Sequence, residues 1–247
     1  MKTLYGFGVV AKALIAFCLV AFLPLFGADK AIEAFVRGQI AYEQGNFQEA
    51  IKQYTKAIKI NPSYENPYFN RGVAYEKLGD YKQAIANYTL TLKIAPHDKK
   101  AYNNRGVAYA NLGDYKQAII DYMQAIKIDP DYVLAYNNRG YAYYNLGDHK
   151  KAIADYTKAI EIEPKYATAY HNRGVAYANL GDHKKAVVDY TQVIKLDPKQ
   201  AGAYNKRAIA YANLGDHKSA TTDARKACEL GNCEALEVME REKQLRD

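Results

Sequence analysis

The sequence predicts an all-α protein assembled as an array of similar helix pairs, and three observations lead there. The first is a period: the string from Ala101 to Pro130, AYNNRGVAYANLGDYKQAIIDYMQAIKIDP, recurs in near-copies every 34 residues. At that spacing one column reads Gly38, Gly72, Gly106, Gly140, Gly174 and Ala208, and another Pro62, Pro96, Pro130, Pro164 and Pro198. The second is punctuation, a helix stop and restart inside each unit at Gly45-Asn46, Gly79-Asp80, Gly113-Asp114, Gly147-Asp148, Gly181-Asp182 and Gly215-Asp216. The third is that no stretch alternates apolar and polar residues as a half-buried strand does. Six units result, from Ala31 to about Glu234. Composition echoes one unit copied: of 247 residues, 24 are tyrosine, none is tryptophan and only Ser63 and Ser219 are serine.

Residues 1–28 stand apart. Lys2 precedes a mostly apolar run broken once by Lys12, and the sixteen residues from Ala13 to Ala28 carry no charge. A basic start, a short apolar core and Gly27-Ala28 at its end read as a secretory signal peptide, which places the mature chain in the periplasm or outside the cell. The core falls short of the roughly 20 residues of a spanning helix. Counted from Val9, with Lys12 snorkelling to the surface, it reaches that length, so an uncleaved N-terminal membrane anchor is the alternative. Of the 34 basic side chains, Lys2 and Lys12 belong to this segment, so the rest of the chain sets 32 against 27 acidic ones and its net charge is +5 rather than +7.

Residues 29–234 hold the six units, and the third shows the pattern. Its first helix is expected from about Lys100 to Leu112 and ends at Gly113, which tolerates the positive φ of a helix C-terminus. Asp114 then caps the second helix, Tyr115 to Ile128, by accepting backbone N–H bonds, and Pro130 cannot continue it. Small residues at Gly106 and Ala118 let the two helices approach, while Tyr109, Ile119, Tyr122, Ile126 and Ile128 fill the space between helices. One unit alone leaves an apolar side wet, so the units must stack and the stack must be closed at its end. Asn232 replaces the proline after the sixth unit. The domain of residues 235–247 lies in a tail that reads, from about Cys233 to Leu245, as a capping helix with Ala235, Val238, Met239 and Leu245 inward and Glu234, Glu237, Glu240, Arg241 and Lys243 outward.

Period and columns together resemble the tetratricopeptide repeat. The family's large first-helix residue stands at Tyr68, Tyr102, Tyr136, Tyr170 and Tyr204, and its small second-helix residue at Ala50, Ala84, Ala118, Ala152, Ala186 and Ala220. The resemblance implies a right-handed α-solenoid of six helix-turn-helix repeats plus a C-terminal capping helix, with the first helices lining a concave groove. One column departs from the family, whose usual leucine is arginine here: Arg37, Arg71, Arg105, Arg139, Arg173 and Arg207. Sixteen residues after the last four stand Asp121, Asp155, Asp189 and Asp223, whereas Gln53 and Asn87 follow the first two. These read as partly buried ion pairs that fix register more than they stabilise.

Catalytic chemistry has no foothold. There is no phosphate-cradling Gly-rich loop ending in Lys-Ser/Thr, no His-Glu-x-x-His and no Gly-x-Ser-x-Gly, which predicts a non-enzymatic protein with no cofactor. His149, His183 and His217 share a column, but helices about 8–10 Å apart cannot converge on zinc at about 2.0–2.1 Å from each nitrogen. Phe47, Tyr81 and Tyr115 fill that column in earlier units, so it wants an aromatic plate and no metal is expected. A ridge of Lys82, Lys116, Lys150, Lys151, Lys184, Lys185 and Lys218 is largely neutralised by the capping aspartates, and the stacking platforms of single-strand binders are missing, so no nucleic acid is expected. Cys228 and Cys233 flank the Gly231-Asn232 turn, where they form either a disulfide in an oxidising compartment or two small apolar packing residues. The Asn87-Tyr88-Thr89 sequon lies mid-helix and is a poor glycosylation acceptor.

The first-helix face is polar yet nearly uncharged. Asn70, Asn104, Asn138 and Asn172 form one column, Asn103, Asn137 and Asn205 stand beside it, and Asn111, Asn145, Asn179 and Asn213 lie further along. The main column resembles the asparagine ladders of some tetratricopeptide-repeat substrate-binding arrays, ended by Lys206. An asparagine amide both donates and accepts, so such a column can hold the backbone of an extended chain. Tyr141 and Tyr144 are the candidate side-chain pockets. These features predict an exported scaffold that binds a peptide or protein segment in its groove, with membrane contact only if the N-terminal segment is uncleaved and oligomeric state left open. The alternatives are a structural or self-associating spacer and, less favoured by the export signal, a nucleic-acid-binding array.

Asp29 follows the apolar run in the position of an N-cap, so cleavage is expected between Ala28 and Asp29. N-terminal sequencing of protein from its native compartment checks this, and a chain that begins at Met1 and extracts with membranes would support the anchor instead.

Overall fold

The computed structural model describes residues 30–244, and among these there are thirteen α-helices and no strand. The expected signal segment, residues 1–28, and Asp29 lie outside the described residues. The chain divides into two compact units, the first ending at Ile128 and the second beginning at Asp129. The first unit contains α1 (Lys30–Glu43), α2 (Phe47–Ile60), α3 (Glu65–Lys77), α4 (Tyr81–Ile94), α5 (Lys99–Asn111) and α6 (Tyr115–Ile128). The second contains α7 (Val133–Asn145), α8 (His149–Ile162), α9 (Ala167–Asn179), α10 (His183–Leu196), α11 (Ala201–Asn213), α12 (His217–Glu229) and α13 (Glu234–Gln244). Each unit holds three antiparallel pairs, and within a unit the second helix of one pair packs on the first helix of the next. Helix α5 starts one residue before the expected Lys100 because Asp98 caps it, accepting from the backbone N–H groups of Lys100 and Ala101 at 2.8 and 3.2 Å.

The expected punctuation is where the helices turn. Gly113 adopts φ +81°, and Asp114 accepts from the Gln117 N–H at 3.1 Å. Asp80, Asp148, Asp182 and Asp216 do the same for their helices.

Close approach within each pair depends on one contact. The glycine column faces a tyrosine column on the second helix: Tyr54, Tyr88, Tyr122, Tyr156 and Tyr190, each no more than 1% exposed. A Cβ on Gly38, Gly72, Gly106, Gly140 or Gly174 would sit 2.5, 2.8, 2.6, 2.7 or 2.9 Å from a ring carbon of its tyrosine, closer than packed carbons allow. In the sixth repeat both partners change together, to Ala208 and Ala224, and both stay buried. Of the residues expected to fill the space between helices, Tyr122 is buried and Tyr109, Ile119, Ile126 and Ile128 are partly buried. The alanines Ala118 and Ala125 carry the dense packing there.

Four members of the arginine column, Arg71, Arg105, Arg173 and Arg207, are bound on three sides, whereas Arg139 has Met123 in place of the threonine and Arg37 forms an exposed pair with Glu33. Arg139 Nε and Nη2 donate to Asp155 Oδ2 and Oδ1 at 2.8 and 2.7 Å, and Arg105, Arg173 and Arg207 grip Asp121, Asp189 and Asp223 the same way. Asn87 stands in for the acid opposite Arg71, accepting from Nε at 2.7 Å. It is 2% exposed, which bears on its sequon. A third nitrogen reaches back one repeat, from Arg71 to Thr55, Arg105 to Thr89, Arg173 to Thr157 and Arg207 to Thr191, at 3.0 or 3.1 Å. These guanidinium groups also lie over the aromatic first-helix residue of their own repeat, 5.5 Å from the ring centre for Arg105 over Tyr102 and Arg139 over Tyr136. Burial pushes the Asp121, Asp155 and Asp189 carboxyls above their ordinary range, and the arginine's hydrogen bonds and charge only partly offset it. Such a pair is costly to bury and costlier to break.

That cost is measurable. Asp155→Ala should lose about 3–5 kcal/mol by stranding Arg139, while Asp155→Ala with Arg139→Leu should recover most of it. Denaturant melts of the two singles and the double check this, and additive losses would show that the two side chains do not couple.

Candidate binding face of the first helices

The asparagines that the sequence places together separate into two roles. Asn103, Asn137 and Asn205, 4%, 7% and 1% exposed, are buried struts and not open groove amides. Their column contains Phe35, Phe69 and His171 in the other repeats, of which Phe69 and His171 lie against Tyr88 and Tyr190 with ring centres 5.6 and 5.9 Å apart. Asn103 and Asn137 each donate to the next residue, to Asn104 Oδ1 at 3.2 Å and Asn138 Oδ1 at 3.4 Å. Asn205 instead secures the last helix. Its Oδ1 accepts from the Ala235 N–H at 2.9 Å and its Nδ2 donates to Glu234 at 2.9 Å, so it pins the start of α13.

Asn70, Asn104, Asn138 and Asn172 are half-buried. In the first unit Asn70 donates to the Asn66 carbonyl at 2.9 Å, and Asn104 bonds the Tyr88 hydroxyl, which itself donates to Glu76. Burial holds the Glu76 carboxyl above its usual range. Sequence reasoning missed Glu76, although it interrupts a column that reads Ala110, Ala178 and Ala212 in other repeats. In the second unit Asn172 Nδ2 donates to Asn137 Oδ1 at 3.0 Å, a rung between successive repeats. Asn111, Asn145, Asn179 and Asn213 each donate to the carbonyl four residues earlier at 2.8 to 3.2 Å, so they close the ends of their own helices.

The two tyrosines also diverge. Tyr141 is 49% exposed, whereas Tyr144 is partly buried against His149, with ring centres 5.0 Å apart. Its hydroxyl accepts from Asn179 Nδ2 at 2.5 Å. Tyr144 lines a cavity of about 320 Å³ in the second unit with Val175, Asn179, His183, Lys206 and Ile209, and Tyr141 does not. The histidine column packs as an aromatic plate, Phe47 lying 5.3 Å from Tyr42 just as His149 faces Tyr144. Among the described residues no group of His, Cys, Asp and Glu could hold a metal, and no helix is long and apolar enough to cross a membrane. In the lysine ridge, Lys151 and Lys185 pair with the capping Asp148 and Asp182 at 2.7 Å.

At the C-terminal end Cys228 and Cys233 are joined by a disulfide, S–S 1.95 Å. Helix α13 docks through Ala235, with Leu236 and Met239 beside it, on Ala208 and Ala224. Val238, expected inward, is 49% exposed; Leu236 takes its place because the helix begins at Glu234 with Asn205 fixing its rotation. Leu245 lies outside the described residues.

Comparison with known families decides the class. Models of the TPR repeat match residues 38–79 and 140–181, and models of the tetratricopeptide repeat match 66–98, 100–132, 121–154, 167–200 and 189–222. The chain belongs to the tetratricopeptide-repeat family. Among solved structures it is similar to a MamA protein, with 28% identity over 67% of this chain and 91% of that one and a TM-score of 0.62. MamA from Desulfovibrio magneticus RS-1, residues 41 to the end, shares 25% identity over 70% and 98% with a TM-score of 0.65. YrrB, described as a TPR protein with an unusual peptide-binding site, shares the fold at 23% identity over 76% and 97%, TM-score 0.63. The family and these neighbours make the chain an all-α repeat scaffold of the kind used in protein-protein interaction.

Asn205→Ala removes two bonds at once, leaving the Ala235 N–H unsatisfied. The expected loss is about 1–3 kcal/mol, confined to the docking of α13. Hydrogen exchange checks it: amides of Ala235 to Glu240 should open faster in the variant, and faster again once the disulfide is reduced, while α7 and α8 stay unchanged.

Proposed function

We propose that this protein is an exported, non-enzymatic scaffold that holds an extended peptide or protein segment on the faces of its first helices. The observation that carries this reading is the cavity of the second unit, lined by polar and apolar side chains of three successive first helices, α7, α9 and α11, and by His183 and Tyr190 of α10. Half-buried amides at Asn138 and Asn172 lie on the same face and can supply donors and acceptors to a passing backbone. A peptide-binding site on YrrB supports the idea that this architecture accommodates such ligands. Export is supported by the apolar, positively started segment at residues 1–28 and by the Cys228–Cys233 bridge, a bond that persists in oxidising compartments.

Backbone capture alone is weak, since each hydrogen bond adds about 0.5–1.5 kcal/mol net against association costs of at least about 4 kcal/mol. Affinity therefore comes from amides and side-chain pockets together. Asn104→Ala with Asn138→Ala should weaken binding of every captured partner alike, by roughly tenfold or more. Partner affinities measured before and after the substitutions decide it. Undiminished binding with unchanged helicity and melting would remove the first-helix face from consideration.

A further inference from the structure

The cavity of the second unit is electrostatically one-sided. Its ionisable lining consists of Tyr144, His183, Tyr190 and Lys206, without an acid. Lys206 is exposed and forms no ion pair among the described residues, and it stands in the column that is asparagine at Asn104, Asn138 and Asn172. Burial, and after it the Lys206 charge, hold the His171 imidazole below its ordinary pKa. His183 Nδ1 is buried and has no hydrogen-bond partner. The floor is apolar, formed by Val175, Ile209 and the two alanines beside them.

Asn179 uses its amide N–H groups on the Tyr144 hydroxyl and the Val175 carbonyl, at 2.5 and 3.2 Å, and Asn213 uses its own on the Ile209 carbonyl at 3.0 Å. Neither amide oxygen takes part in these bonds. A bound molecule that complements this lining brings a negative charge to Lys206, an apolar side chain for Val175 and Ile209 and N–H donors for the asparagines.

We propose that this cavity is a specificity pocket for an internal acidic residue, glutamate next to an apolar residue, in an extended segment that runs on past the pocket. The proposal rests on the first-helix reading given above and names what that face selects. A running chain is the form that the first-helix reading already requires, since a segment laid across successive first helices continues past the pocket.

The test uses the full chain and short fluorescent peptides with blocked ends, identical except for a central Leu-Glu, Leu-Gln or Leu-Lys pair, plus one that ends in a free carboxylate after leucine. Leu-Glu should bind about tenfold tighter than Leu-Gln, the gain of one charge-assisted contact, and Leu-Lys weakest. Lys206→Met should erase the Glu-over-Gln preference, Lys206→Arg should keep it, and Ile209→Ser should weaken the Leu-Glu and Leu-Gln peptides equally. Equal binding of the three blocked peptides, a preference that survives Lys206→Met, or binding confined to the free carboxylate would overturn the pocket while leaving first-helix binding intact. If the chain binds none of the peptides, the pocket is overturned, and the first-helix reading is decided by the Asn104→Ala with Asn138→Ala measurement.

Discussion

Everything in this chain depends on how closely two helices of a repeat can lie, and that distance is set where a tyrosine ring rests on a glycine. At five of six repeats the ring of Tyr54, Tyr88, Tyr122, Tyr156 or Tyr190 occupies the space that a Cβ would fill. The buried rings tie together the pair and the next helix, as in the cluster of Tyr156 with Ala152 and Ala176. Because the rings are almost fully buried while the glycines have nothing to yield, neither partner can change alone. The sixth repeat shows the alternative solution, two alanines, and it occurs next to the one place where the neighbour is a capping helix.

The second organising interaction is the arginine column, which the family usually makes leucine. Leucine would pack without preference for register, whereas a guanidinium clamped by Asp155, or by Asp121 with Thr89 one repeat back, accepts only one arrangement. Burial works against the carboxylates in this arrangement, so its benefit lies in uniqueness of stacking rather than in net stability. Polar ties of this kind fix the offset of one helix along the next, which a smooth apolar contact leaves free to slide.

Function follows from what the stacking leaves over. Rungs such as Asn172 to Asn137 consume part of the amide supply within the fold, and the helix-end asparagines consume another part. What remains available is sparse and uneven: a carboxyl at Glu76 in the first unit, an ammonium at Lys206 in the second, and a cavity beside the latter. In the function proposed above, such a surface holds a chain by many weak contacts and chooses among chains by a few distinct ones.

The sequence by itself determined the repeats, their helix boundaries to within a residue, the capping aspartates and the pairing of Arg105, Arg139, Arg173 and Arg207 with the acids sixteen residues on. Local rules suffice there, because glycine at positive φ, an N-cap and a fixed period act within one unit. The threonines that complete the arginine sites were present as a column, Thr55, Thr89, Thr157 and Thr191, but their meaning depends on the neighbouring repeat. In sequence the asparagines of this face look alike, because neighbouring columns differ only by a step along the same helix. Only tertiary packing turned Asn103, Asn137 and Asn205 inward, left Tyr141 exposed, gave Tyr144 to a cavity and made Asn205 the anchor of the last helix. Such assignments depend on about a third of a helical turn and on which neighbour fills the space, and the neighbour is known only once the chain has folded.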